Sequence, residues 1–290
     1  MEEYVLQEVK IYTKTAHNDA LKLAKNLQRD GIKTSILKDK PSKQEILKEK
    51  LMKKEGGNGI LYLTDCDKVA IELTASGLPV CGCLTKENSQ NSFMGLRYLT
   101  QGMADIDREY LEYVYRRLHQ LPLWILETSR CKVRETTIED VDVFYQIYAE
   151  PSVTRYMENL FAQREEEIIY TIQYRENMYE FYDFGIWTII LKESNEVIGR
   201  AGFTMREGFE EPELGFLIGV PWQRQGLAKE VCEAILDYGR REHDFLQVQA
   251  LTEPENIASI KLLEGLGFVF QDEYIESKIK YFRYLKSYSS

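Results

Sequence analysis

The chain has 290 residues, 44% hydrophobic and 29% charged, with 18 glycines and 7 prolines, a globular composition of about two domains that excludes collagen-like, linker-dominated and disordered chains. No apolar run reaches the roughly 18 residues of a membrane span, and the opening MEEYVLQEVK lacks the basic-then-apolar pattern of an export signal, so a cytoplasmic protein with no membrane partner is expected. The net charge of −10 is uneven: residues 1–130 carry 20 basic and 18 acidic side chains, residues 131–290 carry 17 and 29, a balance that disfavours nucleic-acid phosphates as partners. The acidic half is either a solvated surface or an attractor of cationic amines.

In the first half, residues 5–13, 32–38, 60–64 and 78–84 read as short strands. Helical segments lie between them. Ala20, Leu23, Ala24 and Leu27 make one apolar stripe before the Asp30-Gly31 stop; residues 42–54 form a charged helix ending at Gly56-Gly57; 67–76 end at Gly77; 105–118 close the unit. Alternating strand and helix imply βαβ crossovers and a parallel sheet, hence a Rossmann-like domain over residues 1–125. Residues 121–130, LPLWILETSR, form the junction, with enough apolar side chains to pack.

Five cysteines, Cys66, Cys81, Cys83, Cys131 and Cys232, are too few and odd in number for a disulfide framework. Cys81 and Cys83 share one face of a strand, and no second cysteine pair or nearby histidine completes a metal set, so no metal is expected. Asp65-Cys66-Asp67 admits two readings, a phosphoryl-transfer nucleophile or helix caps, and capping is preferred. The stretch LYLTDCDKVAIELTASGLPVCGCL resembles the late strand-helix-strand part of haloacid dehalogenase-like hydrolases. A full site of that family needs a separate nucleophilic Asp, and residues 1–60 offer no strand ending in D-x-D, so an incomplete, accessory domain is implied.

From Cys131 the pattern changes. A strand CKVRETT precedes a helix with Thr136 and Glu139 at capping-box spacing and an apolar face of Val143, Phe144, Ile147 and Tyr148. A Glu-rich helix covers 163–175, and residues 185–193 and 196–205 flank Ser194-Asn195 as an antiparallel hairpin. After the strand ELGFLIG comes Gln223-Arg224-Gln225-Gly226-Leu227-Ala228, placed between an apolar strand and an amphipathic helix. Backbone N–H groups at such a helix start bind a pyrophosphate, aided by the helix dipole, and Gly226 and Ala228 leave room for its approach. The spacing matches neither the P-loop nor G-x-G-x-x-G.

After the strand LQVQALT stands Asn256-Ile257-Ala258-Ser259-Ile260-Lys261-Leu262-Leu263-Glu264-Gly265-Leu266-Gly267-Phe268. Together with the Gln223–Ala228 loop it resembles the GNAT acetyltransferase family, in the branch containing ribosomal-protein alanine acetyltransferases. The resemblance implies a GNAT domain over residues 131–290 with a splayed mixed sheet, acetyl-CoA as co-substrate, and acetyl transfer to a primary amine by direct attack on the thioester. The acceptor is a small molecule or a protein N-terminus, with a homodimer as an open arrangement. On this resemblance the backbone of Ile218 and Val220 holds the pantetheine arm, residues Gln223 to Ala228 the pyrophosphate, and Asn256 the pantetheine, while Asn256 also reads as a helix N-cap. Glu213, at the start of the splayed strand and on the face of Gly215 and Leu217, is the candidate base or a surface glutamate. Leu263 stands where many relatives have a tyrosine acid, so Ser259 is the candidate proton donor or a small packing residue. Loss of the tyrosine leaves a second reading, a catalytically weak acyl-CoA-binding regulatory module. The region 158–182 is expected to shape the acceptor site. Cys131 and Cys232, with no adjacent histidine, are not nucleophiles.

Overall fold

The computed structural model describes residues 5–52 and 59–288, and contacts divide the chain into two compact units, Met1–Leu121 and Pro122–Ser290. The first unit runs β1 (Glu8–Tyr12), α1 (His17–Arg29), β2 (Lys33–Leu37), α2 (Lys43–Met52), β3 (Ile60–Thr64), α3 (Asp67–Ala75), β4 (Val80–Leu84), β5 (Leu99–Gln101) and α4 (Arg108–Leu118). Its sheet has the order β2-β1-β3-β4-β5, and each neighbouring pair is parallel. The stripe Ala20, Leu23, Ala24 and Leu27 is the buried face of α1, and each leucine so covered contributes roughly 2 kcal/mol of burial. The Gly56-Gly57 stop lies outside the described residues. Strand β5 has no counterpart in the sequence reading, because three residues with exposed or half-exposed side chains carry no alternation.

Cys81 and Cys83 are fully buried. Burial pushes both thiols up to about 12. Asp65 corrects the capping reading. The N-cap of α3 is Cys66, with no side-chain cap. The Asp65 carboxylate instead reaches across the sheet to the β1–α1 loop, accepting the N–H groups of Lys14 (2.8 Å), Thr15 (2.9 Å) and Ala16 (3.2 Å) and the hydroxyls of Thr13 and Thr15 (both 2.7 Å). Burial alone would raise this carboxyl; donors from Lys14, Thr15 and Thr13 outweigh burial and hold it below the ordinary range. Asp67 begins α3, where a negative charge suits the helix dipole.

The second unit runs β6 (Trp124–Glu127), β7 (Cys131–Arg134), α5 (Val141–Tyr148), α6 (Pro151–Thr154), α7 (Arg164–Tyr174), β8 (Ile186–Leu191), β9 (Val197–Thr204), β10 (Glu213–Ile218), α8 (Leu227–Glu242), β11 (Gln247–Thr252), α9 (Ile257–Gly265), β12 (Val269–Glu276) and β13 (Ile279–Ser287). Its sheet has the order β12-β13-β11-β10-β9-β8-β7-β6. Only β10 and β11 pair in parallel; the other pairs are antiparallel. Helix α8 buries Leu227, Val231, Cys232, Ile235 and Leu236, in one core with Trp187, Ile198 and Phe203. The sequence reads as α/β with a parallel sheet in the first half and α+β with a mixed sheet in the second, and the two sheets agree.

Three local differences from the sequence reading have simple causes. Part of the 121–130 junction is β6, which pairs with β7 as an edge strand. The capping box is formed by Thr137 and Asp140 around a 3-10 turn, Ile138–Asp140, one residue on from the Thr136–Glu139 pair. Asp140 is fixed there by the buried Arg134 guanidinium, with both bonds at 2.7 Å, while the Thr136 hydroxyl turns to Thr188 at 3.0 Å. The β12–β13 hairpin has too many exposed positions to announce itself by alternation. Among the described residues no helix is long and apolar enough to cross a membrane.

Candidate functional site

Strands β10 and β11 share a single register pair, Glu213 with Gln249. Beyond it they separate, so the C-terminal half of β10 has a neighbour on one side only, β9, to which it is paired from Glu213 to Ile218. Backbone groups of β10 facing the split therefore lack ladder partners. The side-chain amide of Gln223 donates to the Ile218 carbonyl at 2.8 Å, which marks that oxygen as an acceptor for an amide. Ile218 is buried at 7% exposure and Val220, in the short turn that follows, is exposed at 40%.

The turn leads into a loop in which Arg224 (φ 59°) and Gly226 (φ 78°) both adopt the left-handed region. Gly226 is the N-cap of α8 and no side chain caps that helix, so the first N–H groups of a 16-residue helix meet no protein acceptor from a cap. A Cβ on Gly226 would meet nothing nearer than Arg130 Nη2 at 3.5 Å; the glycine is required by its backbone angle, not by crowding. Gln223, Arg224, Gln225 and Gly226 are exposed, Ala228 is half-buried, and Leu227 is buried. Leu227 thus offers its backbone only.

Sequence reasoning missed the clasp beneath this loop. Arg130 Nη1 donates to the Gln225 carbonyl at 2.9 Å and its Nε to Glu230 at 2.7 Å, while the backbone of Arg130 and the Ser129 hydroxyl donate to the other Glu230 oxygen, each at 2.8 Å. Burial pushes the Glu230 carboxyl up, but donors from Thr128, Arg130 and Ser129 outweigh it and hold the group at about 2. The Arg130–Glu230 pair is a hundred positions apart in the chain, and nothing local signals it.

On the other side of the split, Asn256 is the N-cap of α9, its side-chain oxygen accepting from Ser259 N at 3.2 Å. That leaves its amide nitrogen for another acceptor. Ser259 is half-buried. Leu263 is 1% exposed and belongs to the core of this unit. Cys131 and Cys232 are fully buried; burial raises both thiols, so neither is a thiolate near neutral pH.

Glu213 sits on the strand face expected of it, opposite Thr204 in register. Its carboxylate accepts from Arg206 Nε at 2.5 Å and Nη2 at 3.3 Å, and Arg206 also binds Glu276 at 2.5 Å. The guanidinium fixes both carboxylate oxygens of Glu213 in place, a restraint that sequence spacing did not reveal.

A cavity of about 170 Å³ lies over β10, bounded by Gly215, Phe216 and Leu217, by Arg200 and Thr204 of β9, and by side chains of α5 and α7. The region 158–182 contributes Glu167, Tyr170, Thr171, Tyr174 and Tyr179 to its wall. Gly202 and Gly215 stand opposite each other in register, and a Cβ on Gly202 would fall 1.9 Å from the Gly185 carbonyl. Burial raises the hydroxyl pKa values of Tyr170 and Tyr174, keeping both protonated near neutral pH. Glu167, 4% exposed, is the carboxylate on this wall.

Comparison with known proteins bears on this geometry. The family model described as "Acetyltransferase (GNAT) domain" matches residues 130–269. The uncharacterized N-acetyltransferase p20 of Bacillus licheniformis is 33% identical over 144 residues, 49% of this chain and 81% of that protein. The ribosomal protein uS5-alanine N-acetyltransferase of Escherichia coli is 36% identical over 78 residues, 26% of this chain and 40% of that protein. In fold, an acetyltransferase from Agrobacterium tumefaciens aligns with TM-score 0.50 at 21% identity, covering 56% of this chain and 94% of that one. The chain belongs to the GNAT family of N-acetyltransferases.

Proposed function

We infer that this protein transfers the acetyl group of acetyl-CoA to a primary amine held in the cavity over β10, by direct attack of the amine on the thioester. The observation that carries the reading is the pairing of the split at Glu213 and Gln249 with the uncapped start of α8. The N–H groups from Gln223 to Ala228 present a cradle for a pyrophosphate, with the positive end of the helix dipole behind it. Arg130 and Glu230 hold the cradle in shape. Ile218 and Val220 offer backbone groups to the pantetheine amides, for which the Gln223 amide on the Ile218 carbonyl is a stand-in. Asn256 adds its side-chain nitrogen.

Acetyl-CoA supplies an activated acyl group whose leaving thiol, with pKa near 8.5 by analogy with cysteine, departs readily. What the chain must supply is position and proton management, since an alkyl ammonium with pKa near 10.4 is mostly protonated at neutral pH. Glu213, restrained by Arg206, accepts this proton through an intervening water, which relays it. A β10 N–H near Ile218 stabilises the negative charge developing on the thioester oxygen. Ser259 relays to the departing thiolate the proton that the attacking nitrogen loses as the amide forms. The N-terminal unit acts as a non-catalytic accessory, because its Asp65 is consumed by five donors.

Calorimetric titration with acetyl-CoA, followed by free-thiol release with a panel of amines, tests the reading. Binding in the micromolar range and amine-dependent thiol release are expected. Binding with no turnover on any amine would return the protein to an acyl-CoA-binding module.

A further inference from the structure

The cavity over β10 has one cationic side chain among its described lining residues, Arg200. The guanidinium lies over two aromatic rings, 5.3 Å from the centroid of Phe144 and 4.9 Å from that of Tyr148, and it donates to the Tyr148 hydroxyl. Three arginines near it are paired, Arg130 with Glu230, Arg134 with Asp140, and Arg206 with Glu213 and Glu276, while Arg224 belongs to the exposed loop before α8 and does not line this cavity. No carboxylate of the described residues lies within ion-pairing reach of Arg200. Glu167, on the wall of the same cavity, accepts from the Phe161 N–H at 3.0 Å and leaves Arg200 alone.

Most of the five donors of this half-buried guanidinium meet no protein acceptor among the described residues, which leaves them open to an anion entering the cavity. Its rings fix the plane of the fork without neutralising the charge. Position gives this a functional meaning. Arg200 is the register partner of Leu217, one residue from Ile218, and strands pair about 4.8 Å apart. Arg200 thus springs from the backbone position beside the segment assigned to the thioester and lines the same cavity.

We propose that Arg200 is the carboxylate anchor of the acceptor, so that the substrate class is a small amino acid whose amine lies within a few bonds of its carboxylate. This rests on the acetyl-transfer reading above. Arg200 holds the carboxylate by a forked pair of N–H···O bonds, the amine is thereby presented to the thioester at β10, and the substituent extends into the aromatic wall of Tyr170 and Tyr174. A partly open cavity of about 170 Å³ suits a molecule of amino-acid size, and a peptide N-terminus, which has a neutral amide where the carboxylate would be, leaves the Arg200 charge without a counter-ion.

The test compares the twenty free L-amino acids with their α-amides and with neutral Xaa-Ala-Ala-amide tripeptides, reading both thiol release and calorimetric binding in the presence of CoA. At least one free amino acid should exceed its amide and its peptide by roughly 10- to 100-fold in kcat/KM, the worth of a charge-assisted hydrogen bond. In Arg200→Gln that ratio should fall to near one, and in Arg200→Lys, which keeps the charge but loses the fork, it should fall in between. Thiol release from acetyl-CoA with any amine of the panel reports on the parent reading. If release occurs and amides or peptides do as well as acids, or no free amino acid reacts, the carboxylate anchor is wrong while the acetyl-transfer reading stands; no release with any amine overturns both.

Discussion

Each unit carries a loop that leaves a sheet strand and enters a helix, and the two loops treat the same backbone groups in opposite ways. After β1 the N–H groups of Lys14, Thr15 and Ala16 converge on the carboxylate of Asp65, which arrives from the end of β3. After β10 the loop from Gln223 to Gly226 enters α8 with no side-chain cap. The first loop holds an internal anion and is complete. The second has the donors and the left-handed glycine but no carboxylate, and so remains available to an external one. Whether such a turn is structural or functional is decided by where the protein places its own negative charge.

The largest expected effect comes from making the second loop like the first. Gly226→Glu places a carboxylate against the cradle, and acetyl-CoA affinity should fall at least about 100-fold by calorimetry. Gly226→Ala separates charge from conformation, because the left-handed angle alone costs roughly 1 kcal/mol. Unchanged affinity in a folded Gly226→Glu protein would sink the assignment of this loop.

Next in size is the proton donor. Ser259→Ala should lower kcat by roughly 100-fold with acetyl-CoA affinity nearly intact. If kcat stays within about twofold, Ser259 only packs and receives the Asn256 cap bond. Glu213→Gln should reduce kcat by about tenfold, less than loss of a free base, since the native carboxylate is already engaged by Arg206.

The comparison can also be tested from the first loop. Asp65→Asn removes the charge that five donors share, and the first unit should lose about 3 kcal/mol by denaturant titration. Neither the native protein nor this variant should hydrolyse phosphate esters with Mg²⁺; turnover that disappears in Asp65→Asn would overturn the accessory reading. The smallest effect concerns Glu230, whose carboxyl is held at about 2 against an ordinary 4.5. A depressed acid stabilises the fold above its unfolded value and loses that contribution as pH falls through the folded value. The native protein should therefore lose melting temperature more steeply than Glu230→Gln between pH 5 and 2.

Much of this was legible locally. The α1 stripe, the 185–205 hairpin and the strand-turn-helix around Gly226 each depend on residues within one turn or one hairpin, where periodicity and glycine carry the information. The Thr136–Glu139 box failed by one residue because a buried arginine on the preceding strand chose Asp140. By spacing Asp65 reads as a cap for the helix beside it, because a spacing rule sees only neighbours in sequence.

The amino-acid sequence by itself determined the parallel βαβ pattern of the first half, the 185–205 hairpin of the second, and a phosphate-type loop at the start of α8, because each follows from short-range pattern and the handed, compact connection of strands and helices. Only the tertiary structure decided which charges meet. Asp65 with the Thr13–Ala16 loop, Arg206 with Glu213 and Glu276, Arg130 with Glu230, and Arg200 with aromatic rings instead of a carboxylate are all pairings between separate elements. Their partners are set by sheet register and packing, and charge acts through space, not along the chain.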